Sequence, residues 1–200
     1  MMLGRRTPVT TLILVAVAIG FALQFLSGGA VTGAGANYRP AVTAGEYWRP
    51  VTSMFLHGGI VHLLLNCFAL YQLGALFETW LGSIRLLITF FLTGIAGSIA
   101  SLVFTQGPSV GASGAIFGLL GALIAFLLRR REMLTPGAKS LLSQLVGWAV
   151  INVFFGFSVP GIDNAAHLGG CAAGILLGLI LRERPVYRLP PMPGNSGDPV

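Results

Sequence analysis

Six apolar stretches, each 17 to 19 residues long, dominate the hydrophobicity pattern of this 200-residue chain. At 1.5 Å per residue, helices of that length cover about 25–29 Å, close to the roughly 30 Å hydrocarbon core of a bilayer. Because a backbone in lipid must satisfy its own hydrogen bonds, each stretch is predicted to be a transmembrane helix. The predicted spans are Val9–Leu26, Ile60–Phe77, Leu86–Phe104, Val110–Leu128, Leu141–Phe157 and Ala165–Leu181.

The composition supports an all-α membrane protein that lies in the lipid bilayer. Apolar residues make up 54% of the chain and charged residues only 9%, against roughly 25% charged in soluble domains. The net charge of +6 comes without a basic stripe interleaved with aromatic residues, so no nucleic-acid partner is predicted. We expect residues 1–182 to form one six-helix membrane domain. Residues 183–200, rich in Pro and Gly, are expected to be a disordered cytoplasmic tail.

The basic residues predict the orientation of the chain. If the N-terminus is cytoplasmic, only Arg39 and Arg49 lie outside. The other ten then lie inside: Arg5, Arg6, Arg85, Arg129, Arg130, Arg131, Lys139, Arg182, Arg184 and Arg188. This asymmetry is typical of multi-pass proteins of the cell membrane and predicts that both termini are cytoplasmic.

A cleaved signal peptide is the alternative interpretation of the first span. Arg5 and Arg6, the apolar run and the small residues 34–36 (Ala-Gly-Ala) fit its general pattern. The run is longer than a usual signal core, and cleavage would leave five spans. We therefore favour six spans.

Four polar residues stand out inside the predicted spans, where a polar group carries an energetic cost and needs a reason. They are His62 and Asn66 in span two, Ser113 in span four and His167 in span six. In the predicted orientation these three spans all run from outside to inside. Asn66, Ser113 and His167 then fall within roughly the outer third of the bilayer. Three helices thus bring polar groups to one depth.

The spacing of these residues predicts that they meet. His62 and Asn66 are four residues apart and share a helix face. Ser113 lies at the start of span four, where backbone N–H groups lack intrahelical partners. Glycines at four-residue spacing, which allow membrane helices to approach closely, occur in both later spans: Gly114 and Gly118 in span four, and Gly170, Gly174 and Gly178 in span six. A close contact between spans four and six would bring Ser113 to His167.

These residue types fit acyl transfer. Serine becomes a good nucleophile when a neutral imidazole takes its proton. The tetrahedral oxyanion that forms next needs hydrogen-bond donors already in place. The Ser113 backbone N–H, the Asn66 amide and the His62 imidazole are candidate donors. The sequence therefore predicts a Ser–His site with an oxyanion hole inside the membrane.

Each of these polar residues also has a structural interpretation. A serine among glycines usually packs a helix contact, and a membrane histidine usually binds a neighbouring helix. His57, just before span two, is expected to brace the external loop. Asp163, four residues before His167, either orients the imidazole as a third catalytic member or belongs to the external loop, with Asn164 capping span six. Cys171 either faces the site or is a small buried residue.

No metal or other cofactor is predicted. His57, His62, His167 and the two cysteines, Cys67 and Cys171, are the available ligands. There is no HExxH motif and no intramembrane carboxylate that would complete a metal site. The two cysteines also lack CxxC spacing.

The chain resembles the rhomboid family of intramembrane serine proteases in its minimal six-helix bacterial form. The resemblance extends from Glu46 to Leu181. It rests on motifs in the family's order: Glu46-Tyr47-Trp48-Arg49, His57, His62 with Asn66, Glu78 with Leu81-Gly82-Ser83, Gly111-Ala112-Ser113-Gly114, and Ala166-His167-Leu168-Gly169-Gly170 with Gly174.

The resemblance implies roles for individual residues. Ser113 would be the nucleophile and His167 the general base, in a dyad without an acidic third member. His62, Asn66 and the backbone of Ser113 would bind the oxyanion. Phe117 would pack against the His167 ring, where many relatives have tyrosine.

Other implied roles lie around this centre. Gly111 is a supporting residue beside the nucleophile, and Trp48 and Arg49 would anchor the external loop at the interface. Span five and the loop around Phe157 to Asp163 would gate access for substrate and water.

The expected function is therefore endopeptidase activity on single-span transmembrane substrates near the outer side of the bilayer. By resemblance, small residues at the cut and a helix that unwinds readily would be preferred. No oligomeric state is predicted. One alternative is a non-proteolytic protein that binds membrane helices through the same cavity. Another is a small polar-solute channel, which would need polar residues along a full path that spans one, three and five do not offer.

Overall fold

The computed structural model describes residues 7–182, and within that range the chain is all-α. Nine α-helices follow one another there: α1 (Pro8–Leu26), α2 (Ala30–Gly35), α3 (Arg39–Thr43), α4 (Arg49–Thr52), α5 (Ile60–Leu81), α6 (Ser83–Phe104), α7 (Ser113–Leu128), α8 (Pro136–Ser158) and α9 (Asn164–Ile180). Short 3-10 turns follow α4 and precede α8. Arg5, Arg6, Arg184, Arg188 and the predicted tail at 183–200 lie outside the described residues.

Six of these helices correspond to the six predicted spans. By length and composition, α1, α5, α6 and α8 are long and apolar enough to cross a membrane. The other two, α7 and α9, are apolar but shorter, at 16 and 17 residues. This agrees with an all-α membrane bundle.

The predicted start of span four at Val110 is wrong, because α7 begins at Ser113. Gly111 has a φ of +133°, which lies outside the helical region and suits glycine. Its N–H donates to Ser53 O (2.9 Å) instead of joining a helix. At the other spans the helix extends past at least one predicted end, although α9 stops one residue before the predicted Leu181. For example, α8 starts at Pro136 because the Thr135 side chain caps it by accepting from Ala138 N.

Helix α7 is the centre of the bundle, with 13 of its 16 residues buried. It packs closely against α9 along a row of glycines. A Cβ at Gly170, Gly174 or Gly178 would overlap the backbone of α7, at the carbonyl oxygens of Gly114, Gly118 and Ala122 respectively. The predicted close approach of spans four and six is therefore present. It fixes the side of α7 that faces α9.

A buried carboxylate joins α1, α5 and α6 at the opposite end of the bundle from Ser113. Glu78 accepts hydrogen bonds from Val9 N (3.0 Å), Thr10 N (2.8 Å) and Thr10 Oγ1 (2.7 Å). It also accepts one from Ser83 Oγ (2.7 Å). The backbone donors belong to the first turn of α1, where N–H groups have no intrahelical acceptor. Glu78 therefore supplies acceptors for the N–H groups in the first turn of α1 and holds that helix against α5.

The connection between α1 and α5 is held by side chains that bind its own backbone. Buried Arg49 donates to Glu46 (2.7 Å) and to the carbonyl oxygens of Gly33 (2.9 Å) and Ala36 (2.8 Å). The indole of Trp48 donates to Ala34 O (3.1 Å). Both side chains therefore hold the loop in place, and they do so through hydrogen bonds to other residues of the same loop.

His57 closes the other end of this connection. Its backbone N–H donates to Gln24 Oε1 (2.8 Å), and its carbonyl accepts from Gln24 Nε2 (3.1 Å). This agrees with the interpretation of His57 as a brace. Gln24, on α1, is its partner.

Candidate active site

Ser113 is the first residue of α7, the central helix of the bundle. The first hydrogen bond into this helix runs from Ile116 N to Ala112 O (3.0 Å). Within the described part of the chain, the N–H groups of Ser113, Gly114 and Ala115 have no acceptor. A helix N-terminus with free N–H groups favours a negative charge beside it. An oxyanion formed next to Ser113 would therefore meet donors already in place.

His167 lies in the first turn of α9, on the face that packs against α7. Its ring stacks on Phe117, with centroids 4.2 Å apart and an angle of 9° between the planes. The stack is the contact that the resemblance implied. The Nδ1 atom of His167 is buried and makes no hydrogen bond to any described residue.

No hydrogen bond joins Ser113 to His167 in the described residues. In enzymes without bound substrate, such bonds are often long and tighten only when the complex forms. The packing of α7 on α9, with Phe117 under the imidazole, brings both side chains to the same end of the helix pair.

The ring of His62 lies next to Gly111, the first residue of the motif that contains Ser113. Gly58 N donates to His62 Nδ1 (3.3 Å), so the neutral ring carries its proton on Nε2 and is a donor there. A Cβ at Gly111 would lie 3.0 Å from His62 Nε2 and 3.7 Å from Ser113 Oγ. Glycine at position 111 therefore leaves open the space between the imidazole and the hydroxyl.

Asn66 lies one turn below His62 on the same face of α5. Its Nδ2 donates to His62 O (2.9 Å), which uses one of its two N–H bonds. Its Oδ1 is buried and finds no partner among the described residues. The remaining N–H is the group that is available to an oxyanion.

The segment that leads to Ser113 is held by residues that the sequence did not single out. Asn37 and Ser109 exchange two backbone hydrogen bonds (2.9 and 2.8 Å) in an isolated antiparallel bridge. The Asn37 side chain, almost fully buried, donates to Ser98 O on α6 (2.9 Å). No pattern in the sequence indicated this pairing. Asn37 lies in a loop, where asparagine is common, and it is far from Ser109 along the chain.

Asp163, not Asn164, caps α9, which corrects the expectation for Asn164. The Asp163 carboxylate accepts from Ala166 N (3.0 Å), and Asn164 is the first residue of the helix. The carboxylate also accepts from Ser101 Oγ (2.5 Å) and Thr105 Oγ1 (2.7 Å). It makes no hydrogen bond to the His167 ring, so the arrangement is not that of a catalytic triad.

The His57 ring lies close to the site, and its nitrogens make no hydrogen bond to a described residue. Its centroid lies 5.1 Å from that of the His62 ring. Burial, with a smaller contribution from nearby His62, lowers the pKa of His57 to about 4. The ring is therefore neutral at physiological pH. Within residues 7–182 no three His, Cys, Asp or Glu side chains form a cluster suited to a metal ion.

Helix α8 is the least embedded of the long helices. Only Leu145 and Gly156 are buried along its length. A groove of about 680 Å³ separates it from α5 and is lined by Phe68, Tyr71, Gln72, Gln144 and Trp148 among others. A second cavity of about 750 Å³ lies beside the loop that joins α8 to α9.

Comparison with known proteins decides the family. The Rhomboid domain model matches residues 44–184, a range that contains Asn66, Ser113 and His167. The chain belongs to the rhomboid family. As a rhomboid with long apolar helices, it is a multi-pass membrane protein.

Three relatives give the degree of similarity. The rhomboid chain is 44% identical to Rhomboid protease GluP of Bacillus subtilis over 140 residues, which are 70% of this chain and 27% of that protein. It is 40% identical to RHOMBOID-like protein 5 of Arabidopsis thaliana over 156 residues, or 76% of this chain and 50% of that one. RHOMBOID-like protein 2 of the same plant is 41% identical over 152 residues, 76% and 47% of the two chains. The rhomboid chain thus spans half or less of the length of each.

Proposed function

We propose that this rhomboid chain is an intramembrane serine endopeptidase that cleaves transmembrane helices of membrane-protein substrates near the outer side of the bilayer. Family membership supports proteolysis, and a relative with 44% identity carries the name of a rhomboid protease. The single observation that carries the proposal is the packing of α7 on α9. It brings Ser113, at a helix N-terminus with free N–H groups, to the same end of the bundle as His167.

In the proposed reaction His167 takes the proton of the Ser113 hydroxyl as Oγ attacks the scissile carbonyl carbon. The carbonyl oxygen becomes an oxyanion, which accepts hydrogen bonds from the free N–H groups at the start of α7, from Asn66 Nδ2 and from His62 Nε2. The C–N bond then breaks, and the leaving amine takes the proton from His167. Water, deprotonated by the same imidazole, hydrolyses the acyl-enzyme and restores Ser113.

The substrate must unwind at the cut, because a helical peptide bond hides its carbonyl from the nucleophile. A transmembrane segment also needs a lateral route to the site. The sparse burial of α8 supports entry past this helix, and the cavity beside the loop from α8 to α9 lies at the Ser113 end of the bundle. Movement of α8 and of the loop around Phe157 to Asp163 would admit substrate and water.

The experiment uses the full chain, purified and reconstituted in liposomes, with a model single-span substrate. We expect wild type to cleave, and Ser113→Ala and His167→Ala each to lower kcat by about 10³-fold or more. Ser143→Ala is the matched control. Its exposed hydroxyl bonds only Lys139 O in its own helix, so full activity is expected.

A fluorophosphonate probe gives a readout that does not depend on the substrate. It is expected to label Ser113 in wild type and to leave Ser113→Ala unlabelled. Cleavage that survives Ser113→Ala would refute the mechanism. A chain that binds the helix but neither cuts it nor reacts with the probe would instead be a membrane-helix-binding protein.

A further inference from the structure

Asp163 is the meeting point of three hydrogen-bond donors from α6, the loop after α6 and the first turn of α9. Its carboxylate accepts from Ser101 Oγ at 2.5 Å, Thr105 Oγ1 at 2.7 Å and Ala166 N at 3.0 Å. The Ser109 side chain also interacts with it. Hydrogen bonds to an ionised acceptor are stronger than those between neutral groups. This cluster therefore holds its members more firmly than a helix cap alone.

The positions of these donors relate the cluster to both proposed catalytic residues. Thr105 and Ser109 lie in the loop between α6 and α7, and Ser109 is four residues before Ser113. Asp163 is four residues before His167, and Ala166 directly precedes His167. One carboxylate thus binds the segment that ends at the nucleophile and the turn that carries the base.

The same loop is fixed from its other side. Asn37 bonds the backbone of Ser109 through both N–H and C=O, and its side chain is anchored on α6 at Ser98 O. The loop before α7 is therefore held by Asn37 at Ser109 and by Asp163 at Thr105. The first turn of α9 is clamped as well, since a Cβ at Gly97 on α6 would lie only 2.7 Å from Ala166 O.

The charge state of Asp163 suits this role. Burial opposes ionisation, but hydrogen bonds from Ser101, Ser109, Thr105 and the Ala166 N–H outweigh it and lower the pKa of the carboxyl below its usual value. The group is therefore an anion at neutral pH. As an anion it offers acceptors to all of its donors at once.

We propose that Asp163 is a positioning residue, which sets the placement of Ser113 relative to His167 by holding the loop before α7 and the first turn of α9 on one carboxylate. This rests on the proposed protease function. Asp163 acts through the two segments, and its carboxylate makes no hydrogen bond to the imidazole among the described residues. Because a displacement of about 1 Å between reacting groups costs up to about 10²-fold in rate, losing the clamp lowers kcat more than it affects substrate binding.

The test compares kcat and KM of full-length wild type, Asp163→Ala and Asp163→Asn in liposomes with the same single-span substrate. Asp163→Ala is expected to lower kcat about 10- to 100-fold and to change KM less than about twofold. The rate of fluorophosphonate labelling at Ser113 should fall in parallel. Asp163→Asn keeps an oxygen for Ala166 N and for Thr105, since asparagine caps helices well, but loses the acceptor for Ser101. We expect it to keep the wild-type melting temperature and an intermediate kcat.

Glu78→Ala is the control for a loss of stability. Glu78 is also a carboxylate that accepts bonds from two hydroxyl side chains and a helix N-terminus, at the other end of the bundle. Glu78→Ala should have a lower melting temperature than wild type. When both proteins are assayed below their melting temperatures, its kcat should be unchanged. Ser109→Ala is the second variant, should Asp163→Ala not fold. It is expected to lower kcat with KM unchanged, and adding it to Asp163→Asn should lower kcat less than the product of the single effects.

The outcomes separate the two proposals. If wild type cleaves and labels, but Asp163→Asn and Ser109→Ala keep full kcat, the positioning role is refuted and the protease proposal stands. The positioning role is also refuted if Glu78→Ala and Asp163→Ala have equal melting temperatures and lose kcat to the same extent. Wild type that neither cleaves nor labels refutes the protease function, and the positioning role with it.

Discussion

Several buried polar residues have a structural role that is visible at the scale of the single side chain. His62 accepts from Gly58 N, and this directs its other nitrogen toward Gly111 and Ser113. Asn66 and His167 each keep one buried polar atom without a partner among the described residues. Unpaired buried polar atoms are costly, and a bound substrate that formed hydrogen bonds with these two would remove part of that cost.

His57 predicts how stability depends on pH. Its pKa is about 4 in the folded protein, below the ordinary value of about 6.5 for an unfolded chain. Between these values the unfolded chain binds a proton that the folded one does not. Stability is therefore lost as the pH falls from 6.5 to 4, by up to about 1.4 kcal/mol per pH unit for one proton. The melting temperature in detergent, measured from pH 7 to 4, should fall less steeply in His57→Gln.

Ser143→Ala removes no titratable group and should keep the wild-type pH slope. If the melting temperature of His57→Gln falls as steeply with pH as that of wild type, the His57 ring does not control stability between pH 6.5 and 4.

At the scale of elements, the contact of α7 with α9 depends on glycine. A Cβ at Gly174 would overlap the carbonyl oxygen of Gly118, so Gly174→Ala must push the helices apart. Such overpacking typically costs about 1–3 kcal/mol, and the displacement moves His167 away from Ser113. We expect a lower melting temperature and a lower kcat, measured together in one detergent.

Gly147→Ala is the matched control for this substitution. It lies in α8 with nothing within 4 Å of the new Cβ. Because alanine favours a helix over glycine, the melting temperature should stay the same or rise. An unchanged melting temperature in Gly174→Ala would contradict the close packing.

The elements also show how far spacing along the chain can be trusted. Glycines four residues apart predicted the α7–α9 contact correctly, because that spacing marks one face of a helix wherever the helix lies. The start of α7 was not predictable in this way. Val110, Gly111 and Ala112 are as apolar as the helix that follows, but the positive φ of Gly111 and the bond from Gly111 N to Ser53 O keep them out of it.

At the scale of the whole molecule, orientation decides on which side of the membrane the site opens. Tyr47 and Met133 are exposed at opposite ends of the bundle, and Met133 lies beside the basic residues Arg129 to Arg131. The positive-inside rule predicts that this end faces the cytoplasm. In a background with Cys67→Ala and Cys171→Ala, Tyr47→Cys should react with an impermeant maleimide in right-side-out vesicles. Met133→Cys should react only after permeabilisation.

The reverse labelling would invert the orientation and move the proposed cleavage to the inner side. Each variant is its own control, because labelling after permeabilisation shows that its thiol is reactive.

The sequence by itself determined what depends on local composition: the apolar segments, the helix faces, and the polar residues that a membrane helix must have reason to keep. Those features are set by neighbours within a few turns. Only the tertiary structure decided which distant groups share a partner. Ser101 and Asp163 are 62 residues apart, and Thr10 and Glu78 are 68 apart. Serine, threonine and asparagine suit so many local environments that their type indicates no partner. Their bonds are selected only when packing of the helices buries them together.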